Sequence, residues 1–239
     1  MRHETEGVTE SLLNNAKNEF LKYGFHNASL RRIASKIGVS TNSIYSRFKD
    51  KTGLFNAIVK EAADGLMEIY LKSVNEAKET VDVEQAMQIG GNGTDIVLKY
   101  IYRYKDEFKL IFCCSAGTEY ERFFDKLAAI EENYYKQFAK QYSNGEHSVD
   151  DFFIHVYCRT GWQYVYEIVS HDKSYDEAYK YMQDVMKFNY AGWRAVLDIR
   201  NEEYAAIAGN SAISSQQNGY RISARKIKEF IRQYKFYMK

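Results

Sequence analysis

The chain contains no proline, and only 14 of its 239 residues are glycine. Proline breaks helices because it lacks a backbone N–H and clashes with the preceding turn, so the sequence lacks the strongest helix breaker. Segments with the period-2 alternation of half-buried strands are scarce, whereas apolar residues recur at helical spacing along most of the chain. The predicted fold class is therefore all-α.

Cysteine is also scarce: Cys113, Cys114 and Cys158 are the three present, and no CxxC motif occurs. An odd number without paired spacing argues against a disulfide framework and against a zinc site. The N-terminal stretch lacks the apolar core of a signal peptide, and no apolar run reaches the ~20 residues that a membrane span needs. These observations predict a soluble protein in a reducing, cytoplasmic setting.

Motifs for enzymatic chemistry are missing as well. The GGNG at residues 90–93 lacks the Lys-Ser/Thr pair of a phosphate-binding loop, and the five histidines form no HExxH. Two pairs of adjacent acids occur, Glu131–Glu132 and Asp150–Asp151, and we expect them to cap helices or to lie in solvent. The sequence predicts no catalytic residues, no metal site and no cofactor.

Charge is distributed unevenly although the formal net charge is only +1. Residues 1–55 carry nine Lys or Arg against five Asp or Glu, residues 56–220 carry 17 against 26, and residues 221–239 carry seven against one. A basic N-terminal head on an acidic body indicates that the head meets an anion and that the body does not.

Helix start and stop signals divide the head into four segments. A first helix is predicted over Thr9–Tyr23, with Gly24 as the residue after its end. Ser29 is the predicted N-cap of a short second helix that Gly38 ends. A short third helix, capped by Ser40 or Thr41, runs to about Phe48, and Asp50 caps a long fourth helix.

Two short helices joined by a glycine-containing turn form a helix-turn-helix, whose second helix fits the DNA major groove. Apolar residues such as Ile33, Ala34 and Ile44 would hold the two helices together. The remaining side chains are cations, hydroxyls and amides, which bind phosphates and base edges. The predicted DNA-binding residues are Ser29, Arg31, Ser40, Thr41, Asn42, Ser43, Tyr45, Arg47, Lys49 and Lys51, whereas Arg32 and Lys36 are expected on a solvated face.

The segment resembles the DNA-binding domain of the tetracycline-repressor-like (TetR/AcrR) family of transcription regulators. The resemblance covers about 50 residues and is carried by Ser29, Ile33, Ala34, the GVS of 38–40, the IYSRF of 44–48, Lys51 and Leu54–Phe55. It implies that Thr41, Asn42 and Ser43 meet base edges and that Arg31 reaches a base. It also implies that Ser29, Tyr45 and Lys51 grip phosphates.

The resemblance further implies a homodimer, a palindromic operator in double-stranded DNA, and repression relieved by a small-molecule effector. On this basis we divide the chain into a DNA-binding domain (1–55), a helical ligand-binding and dimerisation domain (56–200), and a polar linker with a basic amphipathic helix (201–239). Within the body, the GGNG of 90–93 is expected to break the chain before further helices near 94–104, 106–116, 119–142, 149–170 and 174–199.

Two sets of body residues are predicted from apolar stripes and aromatic content. A dimer surface on the last two long helices would contain Phe153, Tyr157, Gly161, Tyr164, Tyr179, Met182 and Met186. A ligand site for a lipophilic or aromatic effector would contain Phe108, Phe112, Tyr120, Phe123, Phe124, Trp162 and Tyr166. Glu119, Glu121, Glu131 and His155 could add polarity to this site, which would then suit a cationic aromatic ligand. The alternative for both sets is ordinary packing within the monomer.

Other functions remain open at this stage. A regulator without a small-molecule ligand could respond to oxidation of Cys113 and Cys114, although their apolar context disfavours reactive thiols. A nucleoid-type protein would bind DNA without sequence preference, and a pure interaction module would not bind it. The basic segment 221–239 could pack on the body, contact DNA or lie on a membrane surface.

Overall fold

The computed structural model describes residues 5–79, 82–143 and 148–198, with side chains from residue 7 onward. Every regular element within these ranges is an α-helix, so the predicted all-α fold is confirmed. The helices are α1 (Thr5–Asn27), α2 (Leu30–Lys36), α3 (Asn42–Phe48), α4 (Lys51–Lys78), α5 (Val83–Arg103), α6 (Lys105–Cys113), α7 (Phe123–Tyr142), α8 (Asp151–Ser170) and α9 (Tyr175–Val196).

Local signals in the head work as predicted. Gly24 has φ 70°, a conformation that favours glycine, and it interrupts regular helix geometry within α1. The Ser29 hydroxyl accepts a hydrogen bond from the Arg32 amide at 3.3 Å and caps α2. Gly38, with φ 71°, lies in the turn that follows α2. Asp50 caps α4 by accepting from the Gly53 amide at 2.7 Å.

The junction between α3 and α4 is tight. Lys49 has φ 70° and ψ −52°, and the Asp50 amide donates to the Phe48 carbonyl at 2.9 Å. These values define a γ-turn of the rare, strained kind. A side chain on Gly53 would overlap the same Phe48 carbonyl, so glycine is required there. Lys49 and Asp50 are the two residues between α3 and α4.

The prediction of a chain break at residues 90–93 is wrong, since α5 continues through them. Glycine weakens a helix by about 1 kcal/mol relative to alanine, but tertiary contacts compensate here. A Cβ on Gly93 would overlap the Ser73 hydroxyl of α4, and one on Gly91 would lie 3.0 Å from the Met186 methyl of α9. The glycines therefore allow close approach of neighbouring helices.

The head and body share a continuous apolar core. In the head, the Phe55 ring lies 5.1 Å from the Phe20 ring and 5.5 Å from the Phe25 ring, both edge-on. Helix α4 leads from this cluster into the body, where it packs against α5, α6 and α7. The boundary predicted at residue 55 falls inside α4, and the described residues belong to one compact unit.

None of the helices in the described part of the chain combines the length and apolarity needed to cross a membrane. The polar linker at 209–219 and the basic helix at 221–239 lie outside the described residues.

Candidate nucleic-acid interface and body cavities

Helix α3 has one face in the core and one face in solvent. Ile44 is fully buried beneath it, while the Tyr45 side chain is 50% exposed. Ser40 and Asn42 are exposed, and Thr41 and Ser43 are partly exposed at the start of the helix. Polar side chains therefore line the outward face of α3, which is the geometry needed for contact with base edges and phosphates.

The predicted cations separate into two groups. Arg31 and Lys49 are exposed beside α3. Arg47 instead joins α3 to α1, because its Nε donates to the Thr9 hydroxyl at 3.1 Å and its Nη1 to the Ser43 carbonyl at 3.0 Å.

Lys51 and Ser29 contribute to holding the head together. The Lys51 ammonium donates to the carbonyls of His26 and Ala28 at 2.9 and 3.1 Å, and it lies 4.9 Å from the Phe25 ring centroid. Burial lowers the pKa of Lys51. Ser29 is engaged as the cap of α2. Lys51 and Ser29 therefore position the helices whether or not they also meet phosphate.

Arg32 and Lys36 lie on an exposed face, as expected, but a buried acid also holds Arg32 in place. Glu19 on α1 is 1% exposed. Its Oε1 accepts from Arg32 Nε at 2.6 Å and from the Ser29 amide at 3.1 Å. Arg32 also lies over the Tyr23 ring at 4.5 Å, whereas Lys36 stays 4.0 Å from the other carboxylate oxygen.

Glu19 thus fastens the supporting helix α2 to α1. Burial raises its pKa, but the hydrogen bonds from Arg32 and Ser29 outweigh burial and lower it overall. Sequence reasoning missed this residue. A signal was present, because Glu19 continues the apolar spacing of Leu12 and Ala16 and precedes Phe20, so an acid occupies a core-facing position.

Two adjoining cavities lie between the helices of the body. The larger measures about 590 Å³ and the smaller about 140 Å³. The larger volume is within the range of small-molecule sites. Both cavities are lined by Gly90, Thr94, Tyr134, Tyr135, Tyr157 and Asn189.

The predicted ligand residues divide into one that lines a cavity and others that do not. Trp162 lines the smaller cavity. The Phe112 and Phe124 rings stack with their centroids 4.3 Å apart. The centroid of the Phe124 ring lies 6.3 Å from that of Trp162 and 6.1 Å from that of Tyr166. The predicted residues that line neither cavity and belong to the surrounding core are Phe108, Phe112, Tyr120, Phe123 and Phe124. Tyr166 also lines neither cavity, and its ring packs on Phe124.

The paired acids also behave differently from one another. Asp150 caps α8 by accepting from two amides at 3.0 Å, as expected. Glu132 binds Lys136 at 3.1 Å and His155 at 3.0 Å near the surface. Glu131 is neither a cap nor a solvated acid, because it is buried and lines the smaller cavity, where it was also considered as a polar residue of a ligand site.

The predicted dimer residues divide between surface and interior. Phe153 and Tyr179 are 43% and 39% exposed, and Tyr164 is partly buried. Met182 is buried, and Tyr157, Gly161 and Met186 line the cavities. Apolar side chains that remain exposed on α8 and α9 are Phe152, Phe153, Val156, Tyr179, Tyr181, Phe188 and Tyr190.

Neither thiol of the Cys113–Cys114 pair is activated. Burial raises the pKa of Cys113 to about 11, and burial also raises that of Cys114. A thiol needs a lowered pKa to react readily near neutral pH. The structure therefore gives no support to the redox alternative.

The head is a helix-turn-helix unit, since α2 and α3 cross on a shared core and α3 presents polar residues outward. Residues 12–58 match the model of the family described as "Bacterial regulatory proteins, tetR family". The match covers the helix-turn-helix and its flanking helices, so residues 12–58 are similar to the DNA-binding domain of this family of transcriptional regulators.

Individual proteins are similar to parts of this chain. An HTH-type transcriptional regulator of Staphylococcus aureus is 26% identical over 137 residues, which cover 56% of this chain and 68% of that protein. An HTH-type transcriptional repressor of Mycobacterium tuberculosis is 38% identical over 50 residues, which cover 21% of this chain and 27% of that protein. A TetR family transcriptional regulator, PfmR of Thermus thermophilus, shares 15% identity with a TM-score of 0.49, over 74% of this chain and 97% of that one.

Proposed function

We propose that the protein is a homodimeric repressor that binds a palindromic operator and leaves it when a small lipophilic or aromatic effector enters the body cavities. One observation carries this proposal: a single helix connects the DNA-binding head with a cavity wall. Helix α4 begins at Lys51, directly after the junction that follows α3, and its Tyr70 lines the smaller cavity.

The geometry of α4 supports transmission between the two sites. From Lys51 to Tyr70 the helix rises roughly 28 Å at ~1.5 Å per residue. The Tyr70 ring meets Trp162 edge-on at 5.2 Å, so a ligand that displaces this pair would tilt α4. Because the γ-turn at Lys49 joins α4 tightly to α3, the tilt would change the separation of two recognition helices in a dimer. Coupling of ~1–3 kcal/mol, or roughly 5- to 150-fold in DNA affinity, is typical.

A second route runs through α6. The aromatic contacts Trp162–Phe124 and Phe124–Phe112 connect the cavity wall with α6. The carbonyl of Cys114, just after α6, accepts a hydrogen bond from the Phe25 amide at the end of α1 at 2.9 Å. A shift of α6 would therefore reach the head independently of α4.

The proposal of a dimer rests on the exposed apolar side chains of α8 and α9. One helix-turn-helix reads one half-site, and adequate specificity normally requires two. Phe152 on α8 and Phe188 on α9 are 72% and 71% exposed, which is unusual for phenylalanine. Pairing α8 and α9 with the same helices of a second copy would bury them in a four-helix bundle.

The setting that we propose is the cytoplasm, where a transcription regulator meets its DNA. The three cysteines of the chain are unpaired in the structure, which is compatible with a reducing compartment.

Binding to DNA tests the first half of the proposal. The full chain would be titrated onto the DNA upstream of its own gene, and onto sites selected from random DNA, with competitor and at two salt concentrations. We expect binding that survives competitor and weakens with salt. Tyr45→Ala should weaken specific binding about 10-fold, because Tyr45 is exposed on α3 and lost phosphate or base contacts typically contribute ~1–3 kcal/mol.

Two further variants make this experiment specific. Tyr45→Phe keeps the ring and should isolate the hydroxyl contribution. Lys60→Ala removes an exposed cation of α4 that pairs with Asp64, and should leave DNA binding unchanged. Binding that competitor abolishes would indicate a non-specific DNA protein, and specific binding unaffected by Tyr45→Ala would exclude α3 as the reading element.

A further inference from the structure

An unsatisfied carboxylate faces the smaller cavity. Four buried side-chain atoms in the described residues lack a hydrogen-bond partner, and two of them meet here: Oε2 of Glu131 and Nε1 of Trp162. A third, Nε1 of Trp193, belongs to a residue that lines the adjoining larger cavity. More than 90% of buried polar groups in proteins are hydrogen-bonded, so such a cluster requires an explanation. A buried carboxylate without a partner is costly.

Aromatic rings surround this carboxylate. Tyr70 and Trp162 meet at 5.2 Å on one side of the cavity. Tyr135 lies 5.1 Å from Tyr157 and stacks on Trp193 at 4.8 Å where the two cavities adjoin. The faces of such rings attract cations, most strongly where water is excluded.

The chain supplies no cation of its own at this position. The described residues that line the smaller cavity include no Lys, Arg or His, and Glu131 is their one carboxylate. The neighbouring acid Glu132 is neutralised by Lys136 and His155 on the outer side of α7. When Glu131 ionises, its charge therefore has no cation beside it among the described residues that line the smaller cavity.

We propose that the smaller cavity binds the charged nitrogen of a lipophilic organic monocation, with Glu131 as its counter-ion and the surrounding rings as its walls. The apolar part of the ligand occupies the adjoining cavity of about 590 Å³. This inference rests on the proposed effector function and specifies the ligand class for the same site. An anionic ligand is disfavoured above pH 8, where it would meet the ionised Glu131 carboxylate.

Protonation provides an independent readout. Burial raises the pKa of Glu131 to about 8, although Trp162 and Tyr70 beside it reduce the effect. The Glu131 carboxyl is therefore protonated at neutral pH. Binding of a permanently charged cation would displace that proton. Other titratable groups surround Glu131 on α4, α7 and α8, and burial raises the pKa of each above the pH range of the experiment. These groups are Tyr70, Tyr134, Tyr135, Tyr157 and Cys158. The residues of α5 and α9 that line the cavity carry no ionisable side chain.

The experiment uses the full chain and three probes of similar shape. The first is an alkylbenzyldimethylammonium ion, the second its neutral carbon isostere, and the third a carboxylate analogue. Binding to wild type, Glu131→Gln and Glu132→Gln would be measured calorimetrically from pH 6 to pH 9. For the cation on wild type, we expect affinity to rise about 10-fold per pH unit below pH 8 and to level off above it, with proton release at pH 7.

The variants distinguish a specific charge pair from general hydrophobic binding. Glu131→Gln should weaken the cation at least 10-fold at pH 9 and remove both the pH dependence and the proton release. Glu132→Gln, on the outer side of the same helix, should leave the cation affinity, its pH dependence and the proton release unchanged. Equal affinity for cation and isostere, or an unchanged cation affinity in a folded Glu131→Gln protein, would overturn the proposal. So would a lack of cation binding to wild type at pH 9.

Parallel DNA-binding measurements separate this inference from the proposed function. Cation binding that depends on Glu131 but leaves operator affinity unchanged would support the site and contradict the effector role. Release of DNA by the neutral isostere, equally in wild type and Glu131→Gln, would support the effector role and contradict the cation site.

Discussion

The head and the body each withdraw a glutamate from solvent, and they treat it in opposite ways. In the head, Glu19 accepts hydrogen bonds from Arg32 and from the Ser29 amide, and the net result is a lowered pKa. In the body, Oε2 of Glu131 has no partner, and burial raises the pKa to about 8. The same side chain is thus an ionised structural anchor in one region and, at neutral pH, a protonated acid in the other.

This difference separates stability from ligand recognition. Buried carboxylates that are fully hydrogen-bonded hold elements in place, and their removal destabilises the fold. A carboxylate that the fold leaves unpaired lowers stability and persists where a ligand completes it. The head is organised to be rigid because α3 must present one fixed surface to DNA. The cavity holds two groups without a hydrogen-bond partner, Oε2 of Glu131 and Nε1 of Trp162, and in our proposal a ligand supplies that partner.

The largest effect that would test this contrast is the pH dependence of stability at Glu131. Its pKa is raised above the value of 4.5 expected in the unfolded chain, so its contribution is most favourable below pH 4.5 and is lost as pH rises towards 8. At ~1.4 kcal/mol per pKa unit, the free energy of unfolding falls by roughly 3–5 kcal/mol over this pH range. Glu131→Gln should therefore become more stable than wild type between pH 5 and pH 8 in urea unfolding.

The control for this prediction is Glu132→Gln, whose stability should follow that of wild type across the same range. Protein concentration must be equal throughout, because a dimer gains stability with concentration. A constant stability difference between Glu131→Gln and wild type from pH 5 to pH 8 would contradict the raised pKa.

The next effect concerns the anchor of the head. Glu19→Ala removes hydrogen bonds from Arg32 and leaves the Ser29 amide without its partner. Hydrogen bonds to charged groups contribute ~1.5–3 kcal/mol each, and Arg32 can recover water at the surface, so we expect a loss of about 2–3 kcal/mol in the free energy of unfolding. Because the Glu19 pKa is lowered, this loss should be constant above pH 5 and should shrink under more acidic conditions.

Lys36→Ala is the matched control, since the Lys36 ammonium lies 4.0 Å from the Glu19 carboxylate and contributes little. A Glu19→Ala protein as stable as wild type at pH 7 would show that the anchor is unnecessary. The contrast between the two glutamates would then rest on Glu131 alone.

The smallest effect lies at the junction between α3 and α4, where Lys49 adopts φ 70°. Lys49→Gly and Lys49→Ala remove the same exposed cation, but only glycine relieves the strained backbone. We expect Lys49→Gly to be about 1 kcal/mol more stable than Lys49→Ala by denaturant unfolding, given strain of ~1–3 kcal/mol at such positions. Both variants should reduce the salt dependence of DNA binding by about one counterion.

Equal stability of the two variants would show that the turn is unstrained. A difference in DNA affinity between them at equal salt would show instead that the geometry of the junction, and not only the Lys49 charge, positions α3.

The elements of the head could be read from the sequence because their signals are local. Ser29 and Asp50 cap their helices, and Gly24 and Gly38 take the left-handed conformations that their positions suggested. Each of these depends on a few neighbouring residues, so the chain around them is sufficient information. The same locality allowed the outward face of α3 to be predicted from Ile44 and the polar residues beside it.

Predictions that depended on contacts between distant segments of the chain were less successful. The glycines of 90–93 suggested a break, but they lie inside α5 because Ser73 and Met186 approach them from other helices. Arg32 is exposed as expected, but its bond to Glu19, 13 residues away, was not predicted. Aromatic residues were too numerous to identify those lining a cavity, and Trp162 was the one chosen residue that does.

The sequence by itself therefore determined an all-helical chain with a basic helix-turn-helix head, since periodicity, caps and charge act over one or two turns. Only the tertiary structure decided the state of the two buried glutamates. Burial, partners and pKa are properties of the space between helices, and that space exists only after residues remote in sequence, such as Tyr70, Glu131 and Trp162, have been brought together.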